Sequence, residues 1–245
     1  MRTLKLTLAY EGTRYAGWQN QRGRQPTIQV VLQRAFRRIV HEAVHVVGSG
    51  RTDAGVHALA QVAHVKTHSR IAVGALQGAL NAILPPDIVV TEIREVSPRF
   101  QAQFHATSKR YRYHIVNGST ALPFERRYVH HIRVPLNVSS MKREASVLVG
   151  RHDFRAFCAS GSSVTDMRRT VHDIHVHGRQ GRVMIDLEAD GFLYRMVRSI
   201  VGTLIDIGRG HRPAGTMARI LATKDRRLVG PTAPAKGLWL MEVRY

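Results

Sequence analysis

The residues best suited to chemistry lie in one short stretch, residues 48–58, which reads Gly-Ser-Gly-Arg-Thr-Asp-Ala-Gly-Val-His-Ala. One carboxylate, Asp53, stands there among three glycines, and a cation, Arg51, comes two residues before it. Glycine lets the backbone turn sharply and lets a bulky ligand approach closely. A carboxylate beside a cation on such a loop suits a nucleophile or a base that the neighbouring charge keeps ionised.

Two plainer interpretations of this stretch stand beside the catalytic one. It resembles an ordinary hairpin loop with a surface Arg51–Asp53 pair, because loops are rich in glycine and aspartate. A phosphate-binding loop fits poorly, since the Lys-Ser/Thr ending and the strand–turn–helix order are both missing. The whole eleven-residue string is more specific than either alternative.

The elements around the stretch follow a β-α-β-β-α-β order. An apolar run ends at Val46-Val47, and the run after the stretch includes residues 62–65; both read as strands that the loop connects. The other predicted elements of this half are a strand at 4–10, a helix at 27–40, a helix near 71–83 and a strand at 88–96.

The second half repeats this order. Its predicted elements are a strand at 111–116, a helix at 139–150, a hairpin of 171–177 with 183–187, a helix at 192–207, an extra helix near 214–223 and a strand at 238–245. Two ferredoxin-like split units in tandem account for the chain length. We therefore predict an α+β fold divided into 1–104, which carries the Asp53 loop, and 105–245.

The charge balance points to a polyanionic partner. The chain has 37 Lys and Arg against 17 Asp and Glu, which gives a formal net charge of +20. Such a field favours nucleic acid or an anionic surface. A lipid surface would call for a basic amphipathic helix or a lipidation site, and neither is seen at the termini. Because the cations are spread along the chain, we expect a broad electropositive surface that neutralises several phosphates.

The remaining composition narrows the class of protein. The single cysteine, Cys158, excludes an intramolecular disulfide and a cysteine-rich metal site. The N-terminal residues show no signal peptide, and no apolar run reaches membrane-spanning length. None of the fourteen histidines forms a cluster with zinc-site spacing. We expect a cytoplasmic protein with no metal, no cofactor and no membrane partner.

Residues 50–57 resemble the active-site signature of the tRNA pseudouridine synthases of the TruA type. The resemblance extends over nearly the whole chain. Its other carriers are Tyr-Glu-Gly-Thr at 10–13, Gly-Trp-Gln at 17–19, Asn-Ala-Ile-Leu-Pro at 81–85, Lys-Arg-Tyr-Arg-Tyr at 109–113, His-Asp-Phe at 152–154, Met-Val-Arg at 196–198 and Gly-Leu at 237–238. It implies the pseudouridine synthase fold, with two sheets joined around a central basic cleft.

The resemblance also implies an activity. A protein of this family is a cofactor-independent isomerase that converts uridine to pseudouridine in the anticodon stem–loop of tRNA, at positions 38, 39 and 40. It implies a homodimer that binds tRNA and not DNA. The reaction breaks the N-glycosidic bond, rotates the base and forms a carbon–carbon bond from its C5. A carboxylate could add to C6 of the base, attack C1′ of the ribose or remove a ribose proton, and the sequence leaves these three open.

The family motifs assign roles to four residues by resemblance. Asp53 is implied as the catalytic carboxylate. Arg198 is implied as the basic residue facing that acid, whose charge would lower the Asp53 pKa and orient the carboxylate. Arg51 is implied to fill the gap that a flipped nucleotide leaves, although a phosphate contact or a salt bridge would suit it nearly as well. Tyr111 is implied to stack on the extruded uracil.

One segment departs from the family pattern. Where the family usually has Phe-His-Ala-Arg-Phe, residues 100–104 read Phe-Gln-Ala-Gln-Phe. Gln103 cannot neutralise a phosphate, so neither Gln101 nor Gln103 receives a family role. Two rival functions stay open: a non-catalytic RNA-binding protein, against which the Asp53 loop argues, and the same isomerisation on another RNA.

Overall fold

Alternation of apolar and polar residues builds the first strand of the protein. In the computed structural model, which describes residues 1–19, 25–161 and 164–245, the side chains of Leu4, Leu6 and Leu8 are fully buried. The residues between them are more exposed, as a strand with one face on a core requires.

The helices and strands follow the predicted order closely. The first elements are β1 (Arg2–Tyr10), α1 (Ile28–Val40), β2 (Val47–Gly48), β3 (His57–Thr67), α2 (Val73–Ile83) and β4 (Ile88–Val96). The later elements are β5 (Ser108–Asn117), β6 (His130–Ile132), α3 (Val138–Ser146), β7 (Gly150–Asp153), β8 (Arg168–Arg179), β9 (Arg182–Ala189), α4 (Met196–Gly208), α5 (Thr216–Thr223) and β10 (Leu238–Arg244).

Contacts divide the chain into two compact units. The first comprises 1–107 and 239–245, and the second comprises 108–238. The last strand lies with the first unit because β10 pairs in parallel with β3 at Trp239 and Leu240. The division into domains at 104/105 stays a prediction, since these units describe contacts and not independent folding.

The sheet of the first unit is centred on β3. Strand β1 pairs with β3, and β4 pairs with the other edge of β1; each of these two pairings is antiparallel. Along β3, β2 pairs with Ala63 and His64, while β10 pairs with His57 and Ala58. The β-α-β-β-α-β order predicted for this half is confirmed. The loop that carries Asp53 connects β2 to β3.

The sheet of the second unit has the order β5-β9-β8-β7, and β6 pairs in parallel with β5. The hairpin of β8 and β9 is confirmed. The predicted helix 139–150 is too long, because α3 ends at Ser146 and Gly150 starts β7 with a φ of 107°. The helix predicted from residue 192 begins at Met196, because Arg195 before it has a φ of 58°. Neither β6 nor β7 was predicted. No helix in the described part of the chain is long and apolar enough to cross a membrane.

Candidate active site

The Asp53 loop is attached to the first unit through Thr52. The Thr52 carbonyl accepts a hydrogen bond from the Trp18 backbone N–H at 3.0 Å. Its hydroxyl lies 2.8 Å from the hydroxyl of Tyr10, at the end of β1. Both side chains are buried, so water does not compete for this bond. The residue next to Asp53 is therefore held on both its backbone and its side chain.

The arm of the loop that precedes Thr52 is held by Gln61 on β3. The Gln61 side chain accepts from the Ser49 hydroxyl at 2.7 Å and donates to the Gly50 carbonyl at 3.1 Å. The Ser49 backbone N–H donates to the Val62 carbonyl at 2.7 Å. Because Ser49 and Gln61 are fully buried, these bonds fix the path of the chain into Asp53.

Two glycines allow a neighbouring segment to pack directly on the loop. A Cβ at Gly12 would lie 2.0 Å from the Val56 carbonyl oxygen, and one at Gly17, which has a φ of 90°, would lie 2.5 Å from the Thr52 carbonyl oxygen. The Gly12 N–H also donates to Nδ1 of His57 at 3.0 Å. Only glycine fits at these positions, which explains the physical need for the Glu-Gly-Thr and Gly-Trp motifs.

Asp53 itself stands at the tip of this framework, and its side chain is half-buried. Its carbonyl accepts from the Val56 N–H at 3.1 Å, which closes the turn beyond it. Arg51 is exposed, and its Nε donates to Gln19 at 2.9 Å. The Nε–H of Arg51 is thus directed at Gln19.

Burial raises the pKa of Tyr10 to about 12, although its hydrogen bonds to Thr52 and Gln61 act in the opposite direction. The phenol is therefore neutral at physiological pH. A neutral hydroxyl both donates and accepts, and it can serve Thr52 and Gln61 together. Tyr10 therefore supports the loop through its contacts with Thr52 and Gln61.

In the second unit, Arg198 is held against the segment 230–234. Its Nε donates to the Ala233 carbonyl at 2.7 Å, and the Ala233 N–H donates back to the Arg198 carbonyl at 3.0 Å. One turn further along α4, a Cβ at Gly202 would lie 1.7 Å from the Pro231 carbonyl oxygen. The glycine thus lets this segment lie on the helix surface, where it positions the half-buried arginine.

Tyr111 lies on β5, where successive side chains point to opposite faces of the sheet. Tyr111 and Tyr113 are buried on one face, while Arg112 lies on the other and pairs with Asp186 at 2.8 Å. Tyr111 meets Phe192 edge to face, with ring centroids 5.1 Å apart. Tyr113 donates its hydroxyl to the Pro234 carbonyl at 2.8 Å, which adds a second bond to the segment that positions Arg198.

The structure thus places Asp53 and Arg51 on one loop of the first unit, and Tyr111 and Arg198 in the second. Sequence reasoning missed the supports of these residues, chiefly Tyr10, Thr52, Gln61 and Ala233. Tyr10 and Thr52 stand inside the quoted motifs, but nothing in the sequence pairs residues so far apart along the chain. Of the two departures from the family pattern, Gln103 is exposed and Gln101 half-buried. Among the residues that the structure describes, no group of three His, Cys, Asp or Glu side chains is placed to hold a metal ion.

Comparison with known proteins decides the family. A sequence model described as tRNA pseudouridine synthase matches residues 7–105 and 145–245. The chain belongs to the tRNA pseudouridine synthase family. It is therefore an isomerase of the pseudouridine synthase class, and its α+β architecture is the pseudouridine synthase fold. The matched ranges include Asp53, Arg51 and Arg198, and Tyr111 falls between them.

Two individual relatives match this chain over their full length. The chain is 46% identical over 245 residues to "tRNA pseudouridine synthase A" of Thermoanaerobacter sp. (strain X514), and 47% identical over 246 residues to the protein of that name from Moorella thermoacetica. In both cases all of each chain is covered. A solved structure titled "Crystal Structure of a Cbf5-Nop10-Gar1 Complex" is 13% identical over 82% of this chain and 53% of that chain, with a TM-score of 0.35, a likeness too low to carry an argument.

Proposed function

We propose that this protein converts uridine to pseudouridine in the anticodon stem–loop of tRNA, at positions 38, 39 and 40, with Asp53 as the catalytic carboxylate. The observation that carries the proposal is the fixed Asp53 loop. Buried bonds from Tyr10, Trp18 and Gln61 hold the residues just before a half-buried acid. A surface turn gains nothing from such a framework, whereas a reacting carboxylate must be held in place before the substrate arrives.

The reaction explains why one well-placed acid is enough. Isomerisation breaks the glycosidic bond and rejoins the same base through C5, so no atom is exchanged with solvent apart from a proton. An ionised carboxylate can add to the base, attack the ribose or remove a ribose proton, and each route needs the same residue in the same state. The backbone bonds around Asp53 serve all three routes, because they place the group before reaction.

Arg198 and Tyr111 are proposed to serve the same reaction. A guanidinium near the catalytic acid would favour its ionised form and orient it by charge-assisted hydrogen bonds. The hydrogen bonds between Arg198 and Ala233 support this role, because they fix the position of Nε and thereby set the direction of the guanidinium group. Tyr111 supplies an aromatic surface for the flipped uracil, and its edge contact with Phe192 supports a fixed ring position.

Arg51 is proposed to enter the RNA stack when the target nucleotide leaves it. Flipping a base out of a stack costs on the order of a few kcal/mol, and a side chain that fills the gap offsets part of that cost. The exposure of the side chain and its bond to Gln19 support this role, because an exposed arginine reaches RNA at little cost.

The proposed partner follows from the net charge of the chain. We propose a cytoplasmic homodimer that binds tRNA in a central basic cleft, and the net charge of +20 supports a polyanionic ligand. Recognition should depend on shape and phosphates, since A-form RNA hides its base edges in a deep groove. The affinity for tRNA should therefore fall steeply with salt, and an affinity that stays constant over a severalfold range of salt would refute the basic cleft.

Release of tritium from C5 of uridine tests the proposed activity directly, because forming the new bond at C5 displaces that hydrogen. Unmodified tRNA transcripts labelled in their uridines should release tritium with the wild-type protein. Transcripts with cytidine at positions 38, 39 and 40 should release none. Release from both RNAs would place the target elsewhere, and tight binding without release from either would favour a non-catalytic RNA-binding protein.

A further inference from the structure

The loop that joins β5 to β6 exposes an aromatic ring to solvent. Phe124 is 83% exposed, the highest value for a large apolar side chain in the described part of the protein, and Leu122 beside it is 60% exposed. Exposed apolar groups that lie together mark surfaces on which another molecule binds. Family membership assigns this loop no role, since it falls between the two ranges that match the family model.

The conformation of this loop is fixed by its own hydrogen bonds. The Glu125 N–H donates to the Leu122 carbonyl at 3.1 Å, and the Tyr128 N–H donates to the Glu125 carbonyl at 2.8 Å. The Glu125 carboxylate pairs with Arg182, at the start of β9, at 2.5 Å. The chain thus forms two successive turns that are tied to the β8–β9 hairpin, and Phe124 is presented within the first of them.

The charges beside the ring indicate what it binds. Arg126 and Arg127 follow directly and are exposed, while Glu125, the one acid between residues 118 and 133, is already paired with Arg182. An exposed aromatic ring next to guanidinium groups is the combination that binds unpaired nucleotides, with the base on the ring and the phosphates on the cations. The two arginines beside the ring favour an anionic partner at this loop over an uncharged apolar one.

We propose that Phe124 stacks on an unpaired base of the substrate tRNA and that Arg126 and Arg127 bind the phosphates beside that base. This inference rests on the proposed tRNA substrate and adds a contact outside the catalytic residues. The loop then contributes affinity and not chemistry. Its removal should weaken binding while the bound complex reacts at its usual rate.

Equilibrium binding to an unmodified tRNA transcript tests the stacking contact. Phe124→Ala should raise the Kd at least about fivefold, the lower end of what stacking of one base supplies. Phe124→Trp should keep the wild-type Kd, and Phe124→Leu, which is apolar but cannot stack, should behave like the alanine variant. Val134→Ala is the control, since Val134 is 55% exposed two residues beyond the end of β6 and should leave the Kd unchanged.

Two further readouts separate stacking from a general loss of structure. The added indole of Phe124→Trp should lose emission when tRNA binds, relative to the wild-type protein treated in the same way. Arg126→Gln with Arg127→Gln should reduce the slope of log Kd against log salt by about one to two, because each phosphate contact contributes about 0.7–0.9.

An unchanged Kd in Phe124→Ala would overturn the proposal. A shift of the monomer–dimer equilibrium in Phe124→Ala, at unchanged Kd for tRNA, would also overturn it and assign the loop to a second copy of this chain. These outcomes are independent of the proposed activity, since they are read from binding. Failure of that activity would appear instead as absence of tritium release by the wild-type protein.

Discussion

The hydroxyl of Tyr10 lies 2.8 Å from the hydroxyl of Thr52, and both are buried. This bond joins the end of β1 to the residue that precedes Asp53. Gln61 joins it from β3, with its Nε2 3.4 Å from the Tyr10 hydroxyl. The position of the acid is thus set by residues that take no part in the proposed reaction.

Tyr10→Phe should therefore lower both stability and turnover. It leaves the buried Thr52 hydroxyl without its partner, which costs about 1–3 kcal/mol of unfolding free energy. Thr52→Val removes the other half of the pair, and the double variant should lose less than the sum of the two single losses. Urea unfolding of the four proteins measures this coupling. Tyr245→Phe is the control, since the Tyr245 side chain is 38% exposed and water can replace its bond to Ala102. Additive losses at Tyr10 and Thr52 would contradict the role of the bond.

Gly12→Ala should destabilise the protein by at least about 2 kcal/mol and reduce turnover. The new methyl group would lie 2.0 Å from the Val56 carbonyl oxygen, so the backbone of the Asp53 loop must move. Gly78→Ala is the matched control, because nothing lies within 4 Å of the new methyl group on the exposed face of α2. That substitution should stabilise the protein by about 0.5–1 kcal/mol through helix propensity. Thermal unfolding and tritium release measure both effects, and an active, stable Gly12→Ala protein would refute the close packing.

Arg198→Lys should lower kcat about tenfold or more, although it keeps the positive charge. Lysine has no equivalent of the Nε that donates to the Ala233 carbonyl, so the cation loses its fixed direction. Arg195→Lys, an exposed position just before α4, should leave kcat unchanged. If the two variants retained the same activity, charge alone and not geometry would account for Arg198.

The stability of the second unit should decrease in mild acid because of His130. Burial, together with the nearby Arg209, Lys236 and His131, lowers the pKa of His130 to about 4. In the unfolded chain, His130 takes up a proton near the ordinary histidine pKa of about 6.5. The free energy of unfolding is therefore at its full value above that pH and decreases as the pH falls towards 4. Since the ring is partly exposed, the expected loss is about 1 kcal/mol. Urea unfolding at pH 7.5 and pH 4.5 should show this loss in the wild type and not in His130→Gln. An equal loss in both proteins would assign it to other groups.

Local patterns were enough to predict most of the fold. Alternation predicted β1, apolar spacing predicted α1, and the glycine-rich stretch predicted the loop between β2 and β3. Pairings between distant residues could not be predicted in this way. Strand β10 was predicted, but its pairing with β3 involves only two residue pairs and has no local signal. Strand β6 is only three residues long, too short for a periodic pattern.

The candidate site shows the same contrast between local motifs and contacts across the fold. Asp53, Arg51, Tyr111 and Arg198 were proposed from motifs, because each stands in a distinctive local string. Their supports are bonds across the fold, such as Gln61 to Gly50 or Arg198 to Ala233, and a backbone carbonyl has no sequence signature at all. The sequence therefore supplied the proposed reacting groups and not the contacts that hold them in place.

The most direct test of Asp53 compares turnover and binding in one variant. Asp53→Asn keeps the size of the side chain and removes the charge that every route requires. It should reduce tritium release from tRNA by at least about 10³-fold, while the Kd for tRNA stays within about threefold of wild type. Asp190→Asn, an exposed carboxylate of the second unit, is the control and should retain full activity. Release by Asp53→Asn at near wild-type rate would show that another group performs the chemistry and would contradict the account.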